Sequence, residues 1–245
     1  MKILVPDKKY ALLSAPSKMP CFSFGLPARK SCPRANGTIC NGTGKGKKDG
    51  CYAFERGFYG MSNVKASQQA RFDWTRRMLQ TDAGLNEWVT YMVDAIKRAT
   101  HGRREKLFRI HDSGDFFSAR YAYAWYLVCQ QLPFIAFWAP FRGWQQPTCG
   151  NTASGLNPFK VMTEADGLLS QLLALAALPN VTLRPSALNF GDDAPKVKGF
   201  HAGSTASEST VDGCYPCPAK QQDNNCGSCR VCWHAKSTAV MYAKH

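Results

Sequence analysis

The chain has 245 residues, of which 44% are hydrophobic and 20% are charged, and this composition excludes a disordered chain. Its 31 lysine and arginine residues against 17 aspartate and glutamate residues give a formal net charge of +14, which favours a nucleic acid, a nucleotide or a small anionic molecule as partner. No apolar run approaches the roughly 20 residues of a membrane-spanning helix, and the first residues lack a signal peptide, so we expect a cytoplasmic protein with no membrane partner.

Residues 1–61 are predicted to form an irregular, cysteine-rich N-terminal segment, apart from a short strand at residues 3–5. They are rich in proline, glycine and lysine and show no sustained hydrophobic period, so we expect a metal to organise them. Three cysteines are the candidate ligands: Cys32, Cys40 and Cys51. Three ligands would leave one iron of a four-iron cluster open to a substrate or to S-adenosylmethionine, whereas a fourth, Cys21 or a distant cysteine, would close the site.

Residues 62–200 are predicted to form an α/β core. Short apolar runs that suit buried strands alternate there with longer runs of helical period. The predicted elements are helices at 62–80 and 85–100 (the second capped by Thr81 or Asp82), a strand at 107–110, a helix at 119–131, a strand at 134–139, a helix at 163–178 and a strand at 181–184. Helices between short strands predict a mainly parallel sheet, either open or curled into a partial (βα) barrel.

Polar side chains follow each of the three core strands, where parallel α/β folds bind their ligands. His111 follows the first strand and could act as an acid or a base near neutral pH, and Arg142 and Arg184 could bind a carboxylate or a phosphate. The candidate catalytic residues are His111, Asp112, Asp115, Arg142, Arg184 and Ser186, and the candidate cofactor-binding residues are Ser113, Gly114 and Asn189. The alternative is structural: the aspartates cap the next helix and His111 belongs to the core.

Residues 201–245 are predicted to form a linker and a metal-binding module. Five cysteines occur there with the spacing C-x2-C-x8-C-x2-C-x2-C: Cys214, Cys217, Cys226, Cys229 and Cys232. Zinc would use the first four and leave Cys232 spare, unless Cys232 or His234 replaced a ligand. An iron–sulfur cluster would use the last three with Cys217 or Cys214.

The number and spacing of the thiols favour iron and sulfide over zinc. We therefore expect one or two iron–sulfur clusters of the 4Fe-4S type, with Zn²⁺ as the alternative. The module could also share one site with cysteines of the N-terminal segment. Cys129 lies on the apolar face of a predicted helix, and we expect it to be a buried thiol without a ligand role.

Four sequence blocks resemble the phage and plasmid "gene product eighty-eight" family. They are SFGLPARKSCPRANGTIC, CYAFERGFYG, RIHDSGDFFSARYAYAW and CPAK…CGSCRVCW, and the resemblance runs from about residue 24 to residue 245. It implies a phage or another mobile element as the source, hence the cytoplasm of a host cell, and no particular activity. The Cys-Tyr-Ala sequence at residues 51–53 is also similar to phage proteins related to the radical S-adenosylmethionine superfamily, although the C-x3-C-x2-C spacing of that superfamily is absent.

Two functional hypotheses follow from these patterns. The first is an iron–sulfur enzyme of redox or radical type that acts on a nucleotide, a nucleic acid or a small anionic substrate. The second is a zinc-stabilised nucleic-acid-binding protein without catalysis, motivated by the basic runs at 45–48 and 103–106 and by nearby aromatic residues that could stack on bases. A protein that modifies a host complex by contact alone is a third alternative.

Overall fold

The structure, a computed structural model, describes residues 3–6, 8–32, 53, 57–141, 167–185, 214–234 and 239–241. Five of the candidate residues and the basic run at 45–48 lie outside this part of the chain. The five residues are Cys40, Cys51, Arg142, Ser186 and Asn189. Cys214 is described for its backbone alone.

The centre of the fold is a four-stranded parallel sheet. Its strands are β1 (Phe22–Ser23), β2 (Leu107–Arg109), β3 (Ala136–Phe141) and β4 (Val181–Pro185), and they lie side by side in chain order. The register pairs Phe108 with Phe137 and Phe137 with Val181. The predicted α/β class and the mainly parallel sheet are therefore confirmed, and the described strands form an open sheet that is not closed into a barrel.

Four helices accompany the sheet: α1 (Ser62–Met78), α2 (Asp82–Thr100), α3 (Ala119–Gln131) and α4 (Leu168–Ala177). Thr81 caps α2 by accepting a hydrogen bond from the backbone N–H of Gly84, and Ser118 caps α3 by accepting one from Tyr121. The predicted helix at 119–131 is confirmed at both ends. The predicted strand at residues 3–5 is wrong, because only a single antiparallel bridge joins Leu4 to Ala11. None of the described helices combines the length and apolar character that a bilayer span requires.

One face of the sheet packs against the helices. Phe108 and Phe137 point to this side and are fully buried, as are Trp88 of α2 and Trp125 of α3. The rings of Trp88 and Trp125 meet edge to face with 5.5 Å between their centroids. Full burial of each large apolar side chain stabilises the fold by about 2–3 kcal/mol, so this aromatic cluster contributes substantially to the stability of the core.

The other face of the sheet is covered by the C-terminal segment. This segment consists of β5 (Cys214–Pro216), a 3-10 turn (Pro218–Gln221), α5 (Val231–His234) and β6 (Ala239–Met241), with β5 and β6 paired in parallel. Trp233 of α5 stacks edge to face on Trp138 of β3 with 5.4 Å between centroids, and Cys21 and Leu107 complete this second apolar cluster. The cysteine-rich module is therefore a layer of the fold, packed on the sheet.

Candidate functional site

Four of the five C-terminal cysteines line one pocket between the module and the sheet. They are Cys217, Cys226, Cys229 and Cys232. The pocket has a volume of about 120 Å³, and its walls include the apolar side chains of Trp138, Trp233 and Val240. Cys232 therefore lines the same pocket as the other three cysteines. A zinc site built on the first four cysteines would have left it without a role.

Short backbone hydrogen bonds hold the pocket cysteines in place. The N–H of Cys226 donates to the carbonyl oxygen of Lys18 at 3.0 Å, which ties the module to the segment before β1. The N–H of Cys229 donates to the carbonyl oxygen of Cys226 at 2.9 Å, which closes a tight turn. Gly227 lies inside this turn with a φ of +50°, a conformation that other residues rarely adopt. The C-x2-C spacing thus becomes a turn whose two cysteines both line the pocket.

The pocket thiols influence each other electrostatically. The pKa of Cys226 is raised to about 11, first by burial and then by the proximity of Cys232, Cys217 and Cys229. Burial also raises the pKa of Cys217, and Cys232 and Cys229 add to that effect. Together the four thiolates would repel each other in the absence of a cation, so a bound metal would relieve the repulsion. Within the part of the chain that the structure describes, no three His, Cys, Asp or Glu side chains are close enough to hold a single metal ion as they stand.

Arg184 joins the module to the sheet. It is 1% exposed, and its guanidinium donates to the carbonyl oxygens of Val231 at 2.8 Å and Cys232 at 3.2 Å. Two further bonds connect the same elements: Thr182 donates to the carbonyl oxygen of Trp233 at 2.8 Å, and the indole of Trp233 donates to the carbonyl oxygen of Phe108 at 3.2 Å. The structure therefore places Arg184, a candidate anion-binding residue, beneath the cysteine pocket.

His111 begins the loop that follows β2, and its side chain is buried against aromatic rings. Its ring lies 4.6 Å from that of Phe116 between centroids, and its Nε2 is 3.1 Å from the hydroxyl of Tyr121. Its Nδ1 has no hydrogen-bond partner among the described residues. Burial, helped by the charge of Arg109, lowers the pKa of His111 to about 3. The imidazole is therefore neutral at physiological pH.

The rest of this strand-end loop, residues 112–115, is fixed by polar contacts. Asp112 accepts a hydrogen bond from Ser23 at 2.9 Å through its carboxylate and one from Tyr59 at 3.0 Å through its carbonyl oxygen. Ser113 donates to the carbonyl oxygen of Leu26 at 2.6 Å and accepts from Gln68 at 2.7 Å. These bonds connect the loop to β1, to the residues after β1 and to α1, so the loop is a rigid part of the carboxyl edge of the sheet.

Gly114 and Asp115 complete the loop. Gly114 has a φ of +80°, and a Cβ atom there would lie 2.5 Å from the hydroxyl of Ser31. Asp115 accepts a hydrogen bond from the N–H of Phe116 at 2.7 Å. Cys32, the one cysteine of the predicted N-terminal set that the structure describes, follows Ser31 and is not among the residues that line the C-terminal pocket. The structure thus brings together the 111–115 loop and the Ser31–Cys32 turn at one place, and the C-terminal cysteines at another.

Arg109 lies between these two places. Its guanidinium stacks over the ring of Trp138 at 4.5 Å, donates to the sulfur of Met19 at 3.4 Å, and donates through Nε to the carbonyl oxygen of His111. Met19 and Trp138 both line the cysteine pocket. Arg109 was not among the residues selected from the sequence, although it is the first residue of the RIHDSGDF block. Its side chain points to the face of the sheet opposite to that of Phe108.

Arg71 is a second functional candidate that the sequence pattern did not reveal. Helical periodicity places it away from the apolar face of α1, yet it is 3% exposed and donates to the carbonyl oxygens of Ala11 and Gly25. Burial lowers the pKa of its guanidinium, and the nearby carboxylate of Asp112 opposes that effect. No sequence signal marks such a residue, because the polar cluster that surrounds it is formed by distant segments.

The fold and these two sites define an α/β protein with an open parallel sheet, helices on one face and a cysteine-lined pocket on the other. The chain belongs to the Gene product 88 family, whose family model matches residues 5–148. That range includes the strand-end loop and ends before the C-terminal cysteines.

Two curated relatives are phage proteins with the same name. The chain is 42% identical to the "Gene 88 protein" of Mycobacterium phage D29 over 126 residues, which are 49% of this chain and 47% of the relative. It is 40% identical to the "Gene 88 protein" of Mycobacterium phage L5 over a stretch of the same length and coverage. The chain thus matches about half the length of these relatives, and their names state no activity. No solved structure matches the chain.

Proposed function

We propose that this protein is a phage iron–sulfur protein whose cluster is held by Cys217, Cys226, Cys229 and Cys232. The observation that supports the proposal is the convergence of these four side chains on one pocket. Thiolates are soft ligands that select zinc or iron–sulfur clusters over hard cations. Four cysteines in one apolar pocket are the ligand set that both kinds of site use.

The number and spacing of the thiols favour a cluster over a single zinc ion. Cys232 lines the pocket together with Cys217, Cys226 and Cys229. The C-x2-C-x2-C run that ends at Cys232 is typical of cubane iron–sulfur ligation, whereas a zinc site built on the first four cysteines would leave Cys232 unused.

The surroundings of the pocket also suit a cluster. Trp138 and Trp233 shield it from solvent on the side of the sheet, and burial of a cluster is one of the properties that set its reduction potential. A cluster with four thiolate ligands carries net negative charge. The guanidinium of Arg109 stacks on Trp138, and its positive charge partly opposes the rise in the pKa of Cys226. This charge would stabilise the loaded module.

We further propose a redox or radical-type enzyme in which the strand-end loop binds the substrate. A bound cluster would supply one-electron transfer, while the loop at 111–115 would orient a nucleotide, a nucleic acid or a small anionic substrate at the carboxyl edge of the sheet. His111 is neutral there and would act as a hydrogen-bonding group, since protonation is suppressed by burial. Cys32, near this loop, remains a candidate ligand for a second, three-cysteine cluster that could take S-adenosylmethionine.

Metal analysis of anaerobically purified protein tests the proposal. We expect a brown protein that contains iron and acid-labile sulfide, with the broad visible absorption of thiolate-bound iron. The substitution C232S should remove most of this absorption, whereas C129S, which changes a fully buried cysteine of α3, should leave it intact. A colourless protein with stoichiometric zinc would refute the iron–sulfur proposal and leave the zinc-stabilised nucleic-acid-binding protein as the better candidate.

A further inference from the structure

The turn between α2 and β2 carries an exposed basic surface at the amino edge of the sheet. All six residues of the turn, His101 to Lys106, are exposed. Arg103, Arg104 and Lys106 come from this turn, and Arg230 of the cysteine module approaches it from the other side. We call these four cations, together with the ring of Phe134, the 103–106 surface.

Three cations of this surface, Arg103, Lys106 and Arg230, have defined contacts, which distinguishes them from an ordinary solvated charge run. The guanidinium of Arg103 stacks over Phe22 at 4.6 Å and donates to the carbonyl oxygen of Pro20 at 3.3 Å. The ammonium of Lys106 lies 5.0 Å from the centre of the Phe134 ring. Ordered cations lose less conformational entropy when they bind an anion, so these positions are prepared for a ligand.

Glu105 is the one acidic residue of the turn at 101–106, and its carboxylate is paired. Arg230 donates to the carboxylate of Glu105, and the pKa of Glu105 is lowered first by this hydrogen bond and then by the nearby charges of Arg230, Arg104 and His234. The negative charge of Glu105 is therefore offset by its neighbour. The remaining cations give the surface a positive field directed at solvent.

An exposed aromatic ring lies within this positive field. Phe134 is 52% exposed, although it directly precedes the buried residue Ile135 and β3. A hydrogen bond from the N–H of Ala136 to the carbonyl oxygen of Lys106 keeps the ring beside the basic turn. Cations that can contact phosphates, next to a ring on which a base can stack, are the combination that binds single-stranded nucleic acid.

We propose that the 103–106 surface binds single-stranded nucleic acid, with phosphates on Arg103, Arg104 and Lys106 and a base on Phe134. Duplex DNA fits less well, because its stacked bases do not present a face to Phe134. Binding here does not depend on the nature of the metal in the cysteine pocket. It adds a polynucleotide partner at the amino edge of the sheet, opposite the edge that carries the strand-end loop.

Fluorescence anisotropy of the full chain with a labelled oligothymidylate of about 20 nucleotides tests the proposal, with an oligouridylate in parallel. We expect binding that weakens steeply as salt rises from about 50 to about 200 mM. The triple substitution R103Q/R104Q/K106Q should reduce the slope of log K against log salt by about 2, the value for three lost phosphate contacts on a single strand. The control K8Q/R76Q/R77Q removes the same charge from exposed residues of the N-terminal segment and α1 and should change the slope little.

A second variant separates stacking from charge. F134A should weaken binding about tenfold and leave the salt slope unchanged, because it removes a base contact and no cation. Far-ultraviolet circular dichroism should confirm that the variants are folded, as expected for exposed positions. The proposal is overturned if neither oligonucleotide binds at about 50 mM salt, if both triple variants lose binding equally, or if F134A binds like the parent chain, which would indicate a general polyanion surface.

Discussion

The guanidinium of Arg184 donates a hydrogen bond to the backbone carbonyl oxygen of Cys232 at 3.2 Å, and this bond joins the last strand of the sheet to the last cysteine of the pocket. Arg184 lies in β4, and Cys232 lies in the short helix α5. A helix of four residues has too few internal hydrogen bonds to be stable alone. The orientation of Cys232 towards the pocket therefore depends on a side chain that is distant in sequence.

We predict that R184M destabilises the protein by about 2–4 kcal/mol, because it leaves two buried carbonyl oxygens without a charged donor and keeps the apolar stem. Urea unfolding followed by tryptophan fluorescence measures the change, and the signal includes Trp233 of the module among six tryptophans. R77M, on the exposed face of α1, is the control and should change the free energy of unfolding by less than about 0.5 kcal/mol. Equal stability of the two variants would mean that the module does not depend on Arg184.

The second prediction concerns cysteines in and outside the pocket. C229S should lower the soluble yield and the melting temperature, since the binding free energy of a structural metal centre is also folding free energy. C129S makes the same chemical change at a fully buried site in α3, where it should cost about 1–3 kcal/mol for the buried hydroxyl and leave the metal content unchanged. Thermal melts with parallel metal analysis measure both effects. Loss of metal in C129S, or full metal content in C229S, would contradict the assignment of the pocket.

The third prediction is a pH dependence that arises from His111. Its pKa is about 3 in the folded protein, while imidazole in an unfolded chain titrates near about 6.5. Below about pH 6.5 the unfolded chain gains a proton that the folded chain does not bind. The free energy of unfolding should therefore decrease as the pH falls from about 6.5 towards 3, by up to about 1.4 kcal/mol per pH unit from this one group.

The substitution H111Q tests this pH dependence. The variant is expected to be less stable at pH 7 because the contacts to Phe116 and Tyr121 change, and its free energy of unfolding should fall less steeply on acidification. Urea unfolding between about pH 7 and pH 4 gives both curves. Metal content should be unaffected, since His111 does not line the cysteine pocket. Parallel curves for the two proteins would show that His111 titrates normally in the folded state.

The fourth prediction compares two glycines that are constrained for different reasons. A Cβ atom at Gly25 would lie 1.9 Å from Oδ1 of Asp112, whereas at Gly102 it would meet nothing within 4 Å but would sit on a backbone with a φ of +70°. G25A should therefore cost about 1–3 kcal/mol through steric conflict, and G102A about 1 kcal/mol through backbone strain. In a double-mutant cycle, D112G should relieve part of the cost of G25A and none of the cost of G102A. Chemical denaturation of the six proteins, namely the parent, three single variants and two double variants, measures this coupling.

Much of the core could be predicted from the sequence, because its elements carry local patterns. The helix at 119–131 has a capping serine before it and apolar residues at helical spacing, and the strands after it are short apolar runs between turn residues. β1 could not be predicted. It has two residues, too few to show a period, and it exists only because Phe22 and Ser23 pair with Phe108 and Arg109 of β2.

The sequence indicates which residues could form the candidate sites, but it does not indicate which other residues surround them. Cysteine spacing indicates a metal site, yet nothing local reveals that Cys232 lines the same pocket as Cys217 or that Trp233 packs on Trp138. From the sequence alone, His111 would be expected to have the usual histidine pKa of about 6.5. Its low pKa follows from burial among aromatic rings that reach it from α3 and its own loop, and such burial is a property of the assembled fold.

The C-terminal layer has a consequence for how the chain behaves before it is complete. The face of the sheet that bears Leu107 and Trp138 packs against Trp233, which follows all four strands of the sheet in the chain. During synthesis the strands and their helices therefore leave the ribosome before the residue that packs on Leu107 and Trp138. If the proposed metal centre forms, metal binding to the C-terminal cysteines would favour this packing over aggregation through exposed aromatic side chains.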